Sequence, residues 1–140
     1  MICEEAKSLI KRFEGLRTLA YKCPAGKKTI GYGRTKNVKM GDSITFDQAD
    51  QFLSEDLLEF EAAVDRLVTV PITENQRGAL VSFAFNVGVH NLAGSTLLRL
   101  LNESKYDEAA EQFIRWNKVK MVELRGLTLR RQAEKALFLQ

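Results

Sequence analysis

Glu14, Cys23 and Thr29 are residues whose side-chain types can carry chemistry, and they fall within one short stretch of the chain. A carboxylic acid can hand a proton to a leaving oxygen. A threonine hydroxyl both donates to and accepts from water, so it can place a nucleophile without being one. A thiol with an ordinary pKa of about 8.5 is mostly neutral at pH 7 and becomes a base only when its surroundings lower that value. One acid beside groups that aim a water molecule is the equipment of acid-assisted hydrolysis.

These residues have to be positioned by a helix that meets a hairpin. Ile2, Ala6, Leu9, Ile10 and Phe13 form one apolar stripe and predict a helix over about 3–13. Its first turn holds Glu4 and Glu5 and its last holds Lys11 and Arg12, as the helix dipole prefers. Glu14-Gly15 ends it, with glycine supplying the left-handed residue that closes a helix. An acid in the last turn opposes the dipole, so helix stability does not explain Glu14. A partly desolvated junction is a place where such a carboxyl keeps its proton near neutral pH. A hairpin over about 17–39 follows, with its turn at Pro24-Ala25-Gly26 and its return strand at Thr29-Ile30-Gly31-Tyr32-Gly33. Gly31-x-Gly33 is no nucleotide loop, because no helix opens directly after it.

Thr45-Phe46-Asp47-Gln48 is a capping box that starts the longest helix, about 46–67. Its apolar face is Phe46, Ala49, Phe52, Leu53, Leu57, Phe60, Val64 and Leu67, its other face is acidic with Asp47, Asp50, Glu55, Glu59 and Glu61, and Val70-Pro71 ends it. A second capping box at Thr73-Glu74-Asn75-Gln76 opens a helix that is apolar nearly all round, closes at Gly88 and belongs at the centre of a core. Short helices are expected at about 96–102, 106–116 and 128–138, with His90 in a loop and Trp116 in the core.

At 140 residues and 45% apolar content the chain reads as one folding unit over 1–140. The net charge of +3 is uneven: residues 1–41 carry +7, 42–76 carry −8 and 77–140 carry +4. A basic hairpin beside an acidic helix suits an anionic polymer held in a groove, and it equally suits solvated faces. Nucleic acid is not an expected partner, since no recognised motif and no interleaving of aromatic and basic residues is present. Two cysteines and one histidine cannot build an ordinary zinc site, so neither metal nor cofactor is expected. Cys3 and Cys23 fall at opposite ends of the first helix, roughly 16 Å apart, too far for a disulfide. The chain has neither a membrane-spanning apolar run nor a leader pattern, and only thirteen residues precede Glu14, so it is expected to be made soluble in the cytoplasm.

The run from Glu14 through Tyr21 to Thr29-Ile30-Gly31-Tyr32-Gly33 closely resembles the phage-type lysozymes, the endolysins of glycoside hydrolase family 24. Phe85-Asn86-Val87-Gly88, Arg115-Trp116-Asn117 and Gly126-Leu127 with Arg130-Arg131 extend that resemblance over nearly the whole chain. It implies an α+β, mostly helical fold of two lobes with a peptidoglycan cleft between them. The small hairpin lobe spans about 14–45, the linking helix about 46–67, and the helical lobe about 68–140 plus the N-terminal helix. It further implies a monomeric muramidase that cuts the β-1,4 bond between N-acetylmuramic acid and N-acetylglucosamine and reaches the wall after another protein breaches the inner membrane. Glu14 takes the general acid's place and Thr29 that of the residue holding the hydrolytic water. Cys23 stands where the family usually has aspartate, as a base if a nearby lysine depresses its pKa, or as a spectator. That replacement keeps lytic transglycosylase chemistry open beside hydrolysis, and a non-catalytic wall-binding protein is the remaining alternative. Phe85 and Asn86 are placed against the sugar, and either Arg130 or Arg131 near Glu14. Arg34 occupies a place often held by histidine and is expected to pair with Asp56, tying the hairpin to the long helix without a catalytic part. A lower melting temperature in Asp56→Ala, read by circular dichroism, is the expected mark of that tie.

Overall fold

The computed structural model describes residues 1–140. Helix α1 (Glu4–Glu14) buries Ala6, Leu9 and Ile10 and carries Lys11 and Arg12 in its last turn. Gly15 ends it at φ 75°, ψ 152°. The positive φ expected there is present, but in an extended rather than a helical left-handed form, a conformation open to glycine and strained for other residues.

Strands β1 (Arg17–Lys22) and β2 (Lys28–Gly31) are antiparallel, with Tyr21 opposite Thr29 and Lys22 opposite Lys28. Between Arg17 and Tyr21 the register shifts. The Cys23 N–H donates to the Lys27 carbonyl at 2.9 Å and the Gly26 N–H to the Cys23 carbonyl at 2.7 Å, closing the turn at Pro24-Ala25-Gly26. The return strand stops at Gly31, short of the expected Gly33, because Ile30 and Arg34 exchange two 2.9 Å backbone bonds around a second tight turn. Residues 42–44 line the outer edge of β1, where Ala20 N–H donates to Asp42 and Ile44 N–H to Thr18.

Helix α2 (Phe46–Leu67) opens with both bonds of the Thr45–Gln48 capping box and extends about 33 Å from the hairpin into the helical lobe. Ala49, Leu53, Leu57 and Val64 are buried along its inner stripe. Phe46, expected on that stripe, is 73% exposed, since it lies a turn ahead of Ala49, where the helix first meets β2 at Gly31. Glu61, expected on the acidic outer face, is buried because the Met1 amino group (3.2 Å) and Arg77 (3.4 Å) pair with it. The helix ends at Leu67, ahead of Pro71.

Helix α3 (Glu74–Val87) is the centre of the helical lobe: every residue from Gly78 to Ala84 is buried, and α1, α2 and the last helix of the chain pack around it. A methyl group at Gly78 would come within 2.4 Å of the Ala6 Cβ, so α1 crosses α3 at a point with no room for a side chain. His90 lies in a short helix, α4 (Val89–Ala93), rather than in a loop. Helix α5 spans Thr96–Asn102. The helix expected over 106–116 divides into α6 (Tyr106–Gln112) and a 3₁₀ turn (Phe113–Trp116). Phe83 meets Phe113 and Trp116 edge-on, each at 5.5 Å between ring centroids, which puts Trp116 against the core. A hairpin with no counterpart in the expectations follows, β3 (Lys118–Val119) and β4 (Val122–Glu123). Its turn residues Lys120 and Met121 have φ of 50° and 68° without being glycine or asparagine, so the usual turn signal is missing. Helix α7 (Arg125–Leu139) begins three residues before the expected 128.

The two charge blocks meet in a few ion pairs between the first segment and α2. Asp50 on α2 accepts from Lys7 at 2.8 Å and also pairs with Lys11, fastening α1 to α2. Arg34 reaches Glu55 at 3.2 Å and Asp56 at 3.6 Å and lies over the Phe52 ring. Arg77 pairs with Asp65 and Glu61. Cys3 and Cys23 are both free thiols.

The hydrogen bond from Lys11, then that from Lys7, holds the Asp50 carboxyl below its ordinary value of 3.8. A depressed folded pKa adds stability above the unfolded value and loses it as pH falls through the folded one. With Asp50 partly in solvent, Asp50→Asn is expected to cost about 1 kcal/mol at pH 7. In urea titrations the gap from the wild type should narrow as pH falls below the ordinary 3.8 and close once the carboxyl is protonated in the folded state too.

Candidate active site

Glu14 is the last residue of α1, and Gly15 turns the chain into β1 immediately behind it. The carboxylate is divided between two neighbours. Oε2 accepts from Arg130 Nη1 at 2.6 Å, across the 116 residues that separate the first helix from the last. Oε1 faces Gly33, where a Cβ would stand 3.4 Å from it. Gly33 has φ 93°, so the turn after β2 needs glycine for its backbone as well as for its lack of bulk beside the acid. The Glu14 side chain is 21% exposed, open enough to meet a ligand and sheltered enough to be held.

Two cavities meet at this carboxylate. One, of about 430 Å³, lies between the hairpin and α2, with Lys27, Arg34, Lys36, Asp56 and Glu59 around it and Phe60 and Phe85 behind. The other, of about 340 Å³, lies towards the last helix, among Phe13, Asn86, Leu124, Leu127 and Arg130. Glu14 lines both, so it sits on the floor of a cleft that runs between the lobes. The mixture is one of polar and charged walls with a few aromatic and aliphatic surfaces, which suits a hydroxyl- and amide-bearing ligand more than an apolar one. A larger cavity of about 620 Å³ between α1 and α7 contains Glu4, Glu5 and Arg12 over aliphatic side chains, away from Glu14 and the hairpin.

Phe85 and Asn86 both reach this cleft, Phe85 half-buried edge-on to Phe60 at 5.2 Å and Asn86 exposed at the end of α3. Arg34 and Asp56 form part of its wall. Burial pushes the Asp56 carboxyl up from its ordinary 3.8, against the opposing pull of Arg34 and Lys36. Of the two candidate arginines it is Arg130 that touches Glu14, while Arg131 is fully buried and turns to Glu134.

Cys23 and Thr29 come together at the far end of the hairpin. The thiol is held below its ordinary value, first by the backbone N–H of Lys27 and also by that of Ala25 and by the Lys27 charge. Thr29 is only 4% exposed and donates its hydroxyl proton to the Lys27 carbonyl at 2.9 Å, leaving its lone pairs unspent. Neither residue lines the two cavities that meet at Glu14; Lys27, from the same turn, does. Lys27, Lys36 and Glu59 had no signal in the sequence beyond their charge. Leu124 had no signal, because it follows directly on the unforeseen hairpin, whereas Leu127 belongs to the Gly126-Leu127 motif.

A family model described as phage lysozyme matches residues 11–134. The endolysin of Acyrthosiphon pisum secondary endosymbiont phage 1 is 47% identical over 141 residues, covering 98% of this chain and 97% of its own length. Among solved structures, the muramidase domain of SpmX from Asticaccaulis excentricus superposes with a TM-score of 0.96 at 41% identity, covering 100% of this chain and 98% of that one. A P22 lysozyme mutant superposes with a TM-score of 0.94 at 39% identity over 100% and 99% of the two chains. Matched in sequence from residue 11, ahead of the acid, to residue 134 on the last helix, and in fold from end to end, this chain belongs to the phage lysozyme family.

Proposed function

We propose that Glu14 is the general acid of this lysozyme, which cleaves the β-1,4 bond between N-acetylmuramic acid and N-acetylglucosamine in peptidoglycan as a monomer. The observation that carries this reading is the floor position of Glu14, shared by two adjoining cavities, with one oxygen bound by Arg130 and the other facing the Gly33 gap.

The division of labour between the two oxygens follows from their neighbours. Oε2 is engaged by a guanidinium that can only donate, so the transferable proton belongs on Oε1. That proton passes to the bridging oxygen as the glycosidic bond breaks, while the sugar left behind develops oxocarbenium character. Water adds to the anomeric carbon from the face opposite the acid and must lose a proton. Thr29 can accept a hydrogen bond from that water, since its own proton is engaged with Lys27, and Cys23 in its thiolate form can take the proton. Glu14 is reprotonated from solvent when the product leaves. Phe85 gives an apolar surface for a sugar ring and Asn86 an amide for its acetamido or hydroxyl groups. The protein acts at the wall after its release from the cytoplasm by another protein's breach of the inner membrane.

The absence of Cys23 and Thr29 from the cavities at Glu14 favours one second reading. A lytic transglycosylase needs the acid and no aimed water, because the sugar's own C6 hydroxyl closes a 1,6-anhydro ring.

Glu14→Gln on purified peptidoglycan is expected to lose at least about 100-fold in kcat, with folding unchanged. Mass spectrometry of the wild-type products should show reducing ends; 1,6-anhydro ends would assign the transglycosylase reaction, and full activity in Glu14→Gln would remove the acid. Iodoacetamide should alkylate Cys23 with a pH midpoint below that of an ordinary thiol and inhibit turnover as it does so. An alkylated enzyme of full activity makes Cys23 a spectator.

A further inference from the structure

Behind the Glu14–Arg130 pair lies a group of charges that the proposed reaction does not use. Glu134 is fully buried on α7, one turn beyond Arg130, and Arg131 is fully buried beside it. Glu134 Oε2 accepts from Ser82 Oγ at 2.5 Å, from Arg131 Nη2 at 3.1 Å and from Arg130 Nε at 3.3 Å, while its Oε1 stands 2.7 Å from Arg131 Nε. The arginines can only donate, so the group is built around an ionised carboxylate. Ser82 on α3 holds the arrangement from the other side, since its carbonyl accepts from Arg130 Nη2 at 3.1 Å.

Each donor-bearing nitrogen of the Arg130 guanidinium therefore has a task. Nε faces Glu134, Nη2 faces Ser82, and Nη1 alone reaches Glu14. A guanidinium is planar, so fixing two of its corners fixes the direction of the third. Unlike a surface pair, whose geometry costs side-chain entropy to hold, this one is set in advance by buried partners.

The charges show why such an arrangement matters for an acid. Arg130 and Arg131 bring two positive charges to the inner side of Glu14, and Glu134 is the buried acid that offsets them. On the cleft side, Lys27, Arg34 and Lys36 from the hairpin region and Asp56 and Glu59 from α2 surround the same carboxylate in wetter, better screened positions. An unopposed cation beside a carboxyl group favours its ionised form, and Glu134 supplies the opposing charge here.

We propose that Glu134, held by Ser82, is a positioning residue for the reaction: it fixes the Arg130 guanidinium and shares its charge, so that Glu14 is aimed at the cleft and free to carry a proton. This rests on Glu14 being the acid. Burial pushes the Glu134 carboxyl up and the Arg131 guanidinium down, so the group is held together at a desolvation cost, with each charge dependent on the others.

The test is the pH dependence of turnover on purified peptidoglycan for the wild type, Glu134→Gln, Ser82→Ala and Glu14→Gln. In folded Glu134→Gln, kcat at pH 7 should fall roughly tenfold with KM within about twofold, and the alkaline limb should move to lower pH by about one unit. Ser82→Ala should move the limb in the same direction by less. A fall in kcat that is uniform across pH, or an unchanged profile, overturns the inference. If Glu134→Gln does not fold, Ser82→Ala decides: a limb moved to lower pH supports the inference and an unmoved limb overturns it. Turnover retained in Glu14→Gln instead overturns the reading on which this one rests, and the inference falls with it.

Discussion

The bond from Arg130 to Glu14 joins the last helix of the chain to the final residue of the first, at the place where the two lobes meet. Little of the site's arrangement makes sense without it. A carboxylate at the C-terminal end of a helix faces the negative end of the helix dipole, and a guanidinium is what offsets that field locally. Because Arg130 is almost wholly buried, the acid takes its orientation from the core. The hairpin on the other side contributes a gap at Gly33 rather than a grip.

Charge placement shows how the small lobe is attached to the rest. The strongly positive first segment and the strongly negative second one suggested either a groove for an anionic polymer or two solvated faces. The structure spends these charges on one another: Lys7 and Lys11 meet Asp50, and Arg34 meets Glu55 and Asp56. Lys36 on one wall of the cleft also stands 4.0 Å from Glu59 on the other, and only Lys27 there has no acidic partner. The electrostatics of the cleft is thus a residue left over from fold assembly, and it is mixed in sign.

Legibility in the sequence followed the range of the signal. The capping boxes at Thr45 and Thr73 are complete within four residues, and both helix starts were readable to the residue. Glu14, Phe85 and Asn86 were identifiable because motif and helix end coincide there. What escaped depended on partners distant in the chain. Glu61 reads as an outward acid until the chain's own amino terminus and Arg77 come to it, and nothing local distinguishes Arg130 from Arg131 until α7 is set in phase against α1. The second hairpin was missed because Lys120 and Met121 adopt left-handed backbone angles that ordinarily call for glycine or asparagine. Ser82 and Glu134 had no signal at all, since a serine in an apolar helix and a glutamate in a charged one acquire meaning only from each other.

The crossing of α1 over α3 at Gly78 bears on the acid from a distance. Ala6 lies eight residues before Glu14, about 12 Å along the helix axis, and its methyl group rests directly on the backbone of α3. The helix behaves there as a beam on a fulcrum, with its far end carrying the carboxylate. Thickening the fulcrum by a single methyl group would tilt the beam and draw the carboxylate away from a guanidinium anchored in the opposite wall. The smallest residue in the core is in this sense a gauge block for the catalytic cleft.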